Sequence, residues 1–170
     1  DSALMRVTEL FQVMPPLLFA MVVVMLFKPG VATISIAIGI VSWPHTARLA
    51  RGEFLKLREM DYVRAERAIG AMHARIIWAV ILPNAAPPLI VSGALSVGLA
   101  ILFEAGLSFL GLSDPNSTSW GRMVGDNRPY VLDSWWGVTF PGLAIFLTVL
   151  ALSVVGDGLN EAFNPKLRRR

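Results

Sequence analysis

Cysteine is absent from the 170 residues, so the chain has neither a disulfide framework nor a thiolate metal site. Histidine occurs only at His45 and His73, neither with an acid or a second histidine three or four residues on, so no bound metal is expected. No Gly-Lys dipeptide occurs, which excludes the phosphate-cradling loop of a P-loop ATPase. Charge is also scarce, at 16% of residues, and that argues against an ordinary soluble surface. What is present instead is apolar: 55% hydrophobic residues and a mean hydropathy of +0.60.

The apolar residues fall in blocks. Four stretches, about 11–27, 31–50, 85–112 and 138–159, approach or exceed the roughly 20 residues a helix needs to cross about 30 Å of hydrocarbon. They predict an all-α membrane protein, a multi-span bundle with about four transmembrane helices. The first stretch is the shortest case, because Pro15 and Pro16 leave only "LLFAMVVVMLF" uninterrupted. Residues 51–84 then form a loop on one side, and 113–137, rich in Ser, Asp, Asn, Gly and Pro, a loop on the other.

The pI of about 9.8 does not imply nucleic acid, because the cations flank apolar spans rather than form a free basic arm. Four crossings put twelve Lys or Arg on one side: Arg6, seven from Arg48 to Arg75, and Lys166, Arg168, Arg169 and Arg170. Lys28, Arg122 and Arg128 are the three on the other. The positive-inside rule makes the first side cytoplasmic, with both termini of the chain there. Trp120, Trp135 and Trp136 suit an outer interfacial belt. The opening "DSALMRVTELFQVM" has no initiator methionine and no basic n-region, which predicts a start in the interior of a longer membrane protein.

The cytoplasmic loop carries a helical pattern. Ala65, Ala68, Ile69, Met72, Ile76 and Ala79 or Val80 fall on one face, and Arg64, Arg67, His73 and Arg75 largely elsewhere. Asp61 is the expected N-cap, and Gly70 the expected break where a second helix changes direction, since glycine tolerates φ > 0. Pro83, Pro87 and Pro88 mark the start of the next span. Such a face fits either anionic headgroups or a groove on another protein.

Its spacing resembles the cytoplasmic loop of binding-protein-dependent ABC-transporter permeases: Glu-Ala-Ala, three residues, Gly, nine residues, then Ile-x-Leu-Pro. Here Arg64, Ala65 and Glu66 hold the triplet, Gly70 the glycine and "VILP", Val80 to Pro83, the end. The departure is Arg64, which replaces the acid that would complete a capping box after Asp61 and which opposes the helix dipole. "EAGLSFLGL" (104–112), "SWGRMV" (119–124) and "PGLAIFLTVLALSVVGDGLNEAFNPKL" (141–167) resemble the second permease subunit of dipeptide, oligopeptide and nickel importers, as do "DSALMRVTELFQVMPPLLFA" and "GIVSWPHTARLARGEFLKLREMDYVRAERAIGA". The similarity spans essentially the whole chain.

The resemblance implies the type I ABC importer permease fold, with six spanning helices of which two would precede Asp1. It implies a pathway shared with a second permease subunit, an extracytoplasmic substrate-binding protein that delivers cargo, and two cytoplasmic ATPases that hold ATP and Mg. This chain itself would bind no cofactor. The docking residues carried over are Arg64, Ala65, Glu66, Ala68, Ile69, Gly70, Leu82 and Pro83. Peptides are the expected cargo, with nickel as the alternative, in a bacterial or archaeal inner membrane.

Three other features have readings of their own. Glu104, a carboxylate in an apolar run near the outer end of its span, is a candidate pathway residue or a headgroup-level or helix-packing acid. Asp157, between Gly156 and Gly158, reads as helix-end chemistry. An intramembrane hydrolase built on Ser108 fits poorly, because "GLSFLG" is not a Gly-x-Ser-x-Gly elbow and both histidines sit toward the other side. An ion-coupled secondary transporter would need its own coupling site, and the spans offer one buried acid and no clear inverted repeat.

Overall fold

Proline sets where the first helices begin and end. The computed structural model describes residues 2–163, so the tail cations Lys166, Arg168, Arg169 and Arg170 lie outside the described residues, as does Asp1. Helix α1 (Ser2–Val13) stops before Pro15, and α2 (Pro16–Phe27) restarts with Pro16 at its first position, where the missing N–H costs no ladder bond. A residue ahead of proline is pushed out of the α region, and Met14 and Pro15 both have that neighbour. The chain therefore turns by 89° between the two helices. The expected span over 11–27 is therefore bent at the prolines and takes in part of α1. Phe11 closes the corner, its ring 5.7 Å from Phe19 and 5.7 Å from Trp43, both edge to face.

Helix α3 (Val31–Arg58) runs past its expected end at Ala50, so the first part of the expected loop is helix. Its 28 residues reach about 42 Å. Helix α4 (Asp61–Ala68) follows a short turn. Then α5 (His73–Arg75), a π-helical segment (Ile76–Ile81) and α6 (Leu82–Phe109) form one continuous helix of 37 residues. In the π segment the ladder reaches back five residues, as in the Leu82 N–H to Ile77 carbonyl bond. The prolines do not mark the start of this span: Pro87 and Pro88 lie inside α6, where they remove two ladder donors without ending the helix. The expected start at Ala85 is corrected accordingly.

The loop expected over 113–137 contains α7 (Trp120–Asn127) and a 3-10 turn (Arg128–Tyr130). Helix α8 (Trp136–Phe163) completes the described chain, so Asp157 lies inside a helix that continues six residues beyond it and is not helix-end chemistry. No strand occurs among the described residues. Closed helical ladders are what a bilayer demands of a backbone with no water to bond.

By length and composition the His73–Phe109 and Trp136–Phe163 helices can cross a membrane, and the bent α1–α2 pair would make a third. Helix α3 is long enough, but its second half carries His45, Arg48, Arg51, Glu53, Lys56 and Arg58.

Helices α6 and α8 pack antiparallel through glycine. Gly98 meets Val149, and a Cβ on Gly156 would come within 2.8 Å of Leu95. One apolar cluster, Ala20, Val24, Ile34, Ala37, Leu107 and Leu112, ties α2 and α3 to the end of α6. A second, Val63, Ile76 and Ile81, sits at the opposite end of the bundle under α4.

Candidate functional site

The loop between α3 and α6 is anchored from below and bare above. Val63 is fully buried against Ile76 and Ile81, with Phe54, Leu57, Ala71 and Val80 around them, so α4 is fixed to α3 and to the π segment. The expected single apolar face is therefore divided. Ile76 belongs to this small core, Ala65 and Ala68 are exposed, and Ile69 and Met72 are 79% and 70% exposed. Val63 was not legible as an anchor because its burial depends on partners thirteen and eighteen residues away.

Gly70 ends α4 as the sequence predicts. Its φ is +82°, its N–H donates to the Arg67 carbonyl, and the Ala71 N–H reaches back to the Glu66 carbonyl. That pair of bonds is a Schellman cap, which needs a left-handed residue at this position. The same bonds recur at Gly111, φ +83°, where Leu112 and Gly111 donate to Leu107 and Ser108.

The N-terminus of α4 differs from expectation. Met60 occupies the cap position with no side-chain bond, and Asp61 is the first helical residue. Asp61 thus acts on the first turn by charge alone. Arg64 is held by two carboxylates: Glu59 at 3.6 Å and Asp61 at 3.8 Å. These offset the unfavourable placement of a cation in a first turn. Glu59 is held below the ordinary carboxylate range, first by the hydrogen bond from Arg58 at 3.0 Å and then by the charges of Arg58 and Arg64. Glu66 is half-buried, and one of its carboxylate oxygens is enclosed without a hydrogen-bond partner.

Leu82 and Pro83 stand apart from α4, beyond the π segment at the start of α6. Pro83 lines a crevice of about 500 Å³ with Glu53, Lys56, Pro87 and Asn160. The loop residues thus form two patches, an exposed helix and a neighbouring crevice.

At the opposite end of the bundle a cleft of about 720 Å³ opens between α3, α6 and the segment leading into α7. Glu104 lines it and accepts a 2.6 Å hydrogen bond from Ser108, one turn on. Ser108 is 2% exposed and donates its hydroxyl to Glu104 on its own helix.

The wall of this cleft uses residues that the sequence pattern did not single out. Asp114 accepts from the Val31 N–H at 3.4 Å, capping α3, and from the Asn116 N–H at 2.8 Å. Arg122 gathers the loop, donating to the carbonyls of Asp114, Pro115 and Ser117 at 2.9, 3.0 and 3.2 Å. Ser119 caps α7 through the Arg122 N–H. Helix α7 lies on the α6 backbone because Gly121 and Gly125 have no Cβ: one would stand 2.5 Å from the Ala105 Cα, the other 2.9 Å from the Phe109 carbonyl. Small residues four apart were the available signal for this contact.

Trp120, Trp135 and Trp136 are 44%, 56% and 50% exposed at this end, as an interfacial belt requires. No group of three metal-ligating side chains occurs among the described residues.

Comparison with known proteins agrees with this architecture. Residues 1–169 match the family described as binding-protein-dependent transport system inner membrane component. The chain is 42% identical over 167 residues to the dipeptide transport system permease protein DppC of Escherichia coli (strain K12), covering 98% of this chain and 56% of that protein. It is 42% identical over 166 residues to the di/tripeptide transport system permease protein DppC of Pseudomonas aeruginosa (strain UCBPP-PA14), covering 97% and 55%. It is 41% identical over 171 residues to the dipeptide transport system permease protein DppC of Bacillus subtilis (strain 168), covering 99% and 53%. The chain spans about half the length of the curated relatives it matches. With its helical bundle, membrane-length helices and a match along its whole length, the chain belongs to the family of binding-protein-dependent transport system inner membrane components.

Proposed function

We propose that this chain is part of the transmembrane permease subunit of an ATP-driven peptide importer. It forms half of the substrate pathway and couples to a cytoplasmic ATPase through the loop of residues 61–83. The observation that carries the reading is the exposed apolar tip of that loop. Ile69 and Met72 face outward, while Val63 beneath them is locked to helices that continue into the bundle. A push on the tip is therefore delivered to α3 and α6 and not absorbed by a floppy loop. Peptide as cargo rests on the names of the relatives.

In this reading the helices cross an inner membrane four times, with the α1–α2 corner and α3 as the first two crossings, and both ends of the chain face the cytoplasm. The partners are a second permease subunit, two ATPases carrying ATP and Mg, and an extracytoplasmic binding protein. The test is uptake of a labelled dipeptide by vesicles holding the full-length permease with those partners. Uptake should require ATP and survive a protonophore. Collapse by the protonophore with ATP present would instead identify an ion-coupled carrier, and uptake of nickel but not dipeptide would change the cargo.

A further inference from the structure

The cleft of about 720 Å³ has the size of a small-ligand site, and its wall is chemically one-sided. Ile34 and Ile38 of α3 and Val97 and Ile101 of α6 make it apolar below, and Ser117 and Thr118 give it a hydroxyl rim. Among the described residues, Glu104 and Asp114 are its only charged lining residues, and no Lys, Arg or His lines it. The two acids are not equivalent. Both oxygens of Asp114 accept backbone N–H groups, from Asn116 and Val31, so that carboxylate is spent on holding the loop to α3. Glu104 receives the Ser108 hydroxyl on one oxygen, and it is placed five residues, roughly 8 Å, inside the end of α6.

A carboxylate in an apolar wall is costly unless a cation or further donors come to it. An ammonium group has three donors and no acceptor, and suits one carboxylate surrounded by hydroxyl oxygens. Trp120 lines the same wall, and an aromatic ring within reach of a cation is a favourable neighbour for it. A divalent metal would need more ligands than the single available carboxylate, and no three metal-ligating side chains gather among the described residues.

We infer that this cleft receives the protonated amino terminus of the transported peptide, with Glu104 as the acceptor and Ser108 as the residue that positions it. The inference rests on the peptide-import reading and adds to it a polarity: the peptide enters the permease amine first.

The experiment uses the full-length permease assembled with its partners, carrying a single cysteine in place of Thr118 on the rim of the cleft. Labelling by an impermeant maleimide is followed with alanyl-alanine, or with propionyl-alanine, which is the same molecule without the amine. Alanyl-alanine should slow labelling at least fivefold and propionyl-alanine should not. Glu104→Gln should abolish the protection, and Glu104→Asp should keep part of it. Equal protection by both probes, protection that persists in Glu104→Gln, or no protection by either probe overturns the inference. The comparison of the two probes on the chain with Glu104 intact does not depend on any variant folding. ATP-driven uptake of alanyl-alanine, measured in parallel, keeps the two readings apart: uptake without differential protection removes only the amine site, and no uptake removes the import reading.

Discussion

Two glycines show how differently one residue type is used. Gly70 has open space around its missing Cβ but a φ of +82°, so its side chain is excluded by backbone conformation alone. A left-handed residue other than glycine costs about 1–2 kcal/mol, least for asparagine and more for a β-branched side chain. Gly70→Asn should therefore keep the loop and its transport activity, whereas Gly70→Val should insert normally yet lose co-purification with the ATPase. Normal coupling in the valine variant would show that the cap is dispensable. Gly121 is the converse case, excluded by a backbone 2.5 Å away. Gly121→Ala should lift α7 from α6 and lower stability by roughly 1–3 kcal/mol, read as a lower unfolding midpoint.

The charged residues of the loop give a pH prediction. Glu59 has a folded-state affinity for protons below the ordinary carboxylate value, chiefly through the Arg58 hydrogen bond. Its contribution is thus fully present above the unfolded pKa of about 4.3 and is lost as pH falls through the lower folded value. Exposure keeps this effect small. Hydrogen-exchange protection of the first turn of α4, corrected for intrinsic rates, should fall in that acidic window, and the fall should be smaller in Glu59→Gln, where Asp61 is the carboxylate left on Arg64.

At the scale of elements, the apolar blocks made the helices legible and the prolines made their boundaries misleading. Pro15 and Pro16 break a helix, yet Pro87 and Pro88 are carried within one, because a long apolar helix packed along α8 outweighs two lost ladder bonds. Gly70 was readable because its role is local. The Asp114 to Val31 bond joins residues 83 apart, and no local pattern announces it. The loop between α3 and α6 was thus legible as a position and a turn, while the division between its anchored and exposed residues was not.

The π segment yields an element-scale prediction. A π turn is in effect an α-helix with one residue too many. Removing Ile77 should let the ladder close as α-helix with both flanks in register, and helicity and coupling should survive. Removing one residue from the regular part of α6, such as Leu99, should turn everything on one side by about 100° and abolish coupling. Equal damage from both deletions would mean that the extra residue is needed where it stands.

For the whole molecule, the orientation is testable directly. A cysteine at Ser117 in an otherwise cysteine-free full-length protein should react with an impermeant thiol reagent from outside, and one at Met72 should not. The opposite labelling would invert the topology and take the proposed docking surface off the cytoplasmic side.

One element touches both regions. Helix α3 ends at Arg58, just before Glu59, the residue that holds Arg64 at the loop, and begins at Val31, the residue that Asp114 holds at the cleft. Pro44, buried near its midpoint, removes a ladder bond there. Each arm of the helix measured from Pro44 is about 20 Å long. A rocking of about 5° displaces each end by about 1.7 Å. The Val31 to Asp114 bond is already 3.4 Å long, so a stroke of that size at one end suffices to unlatch the other.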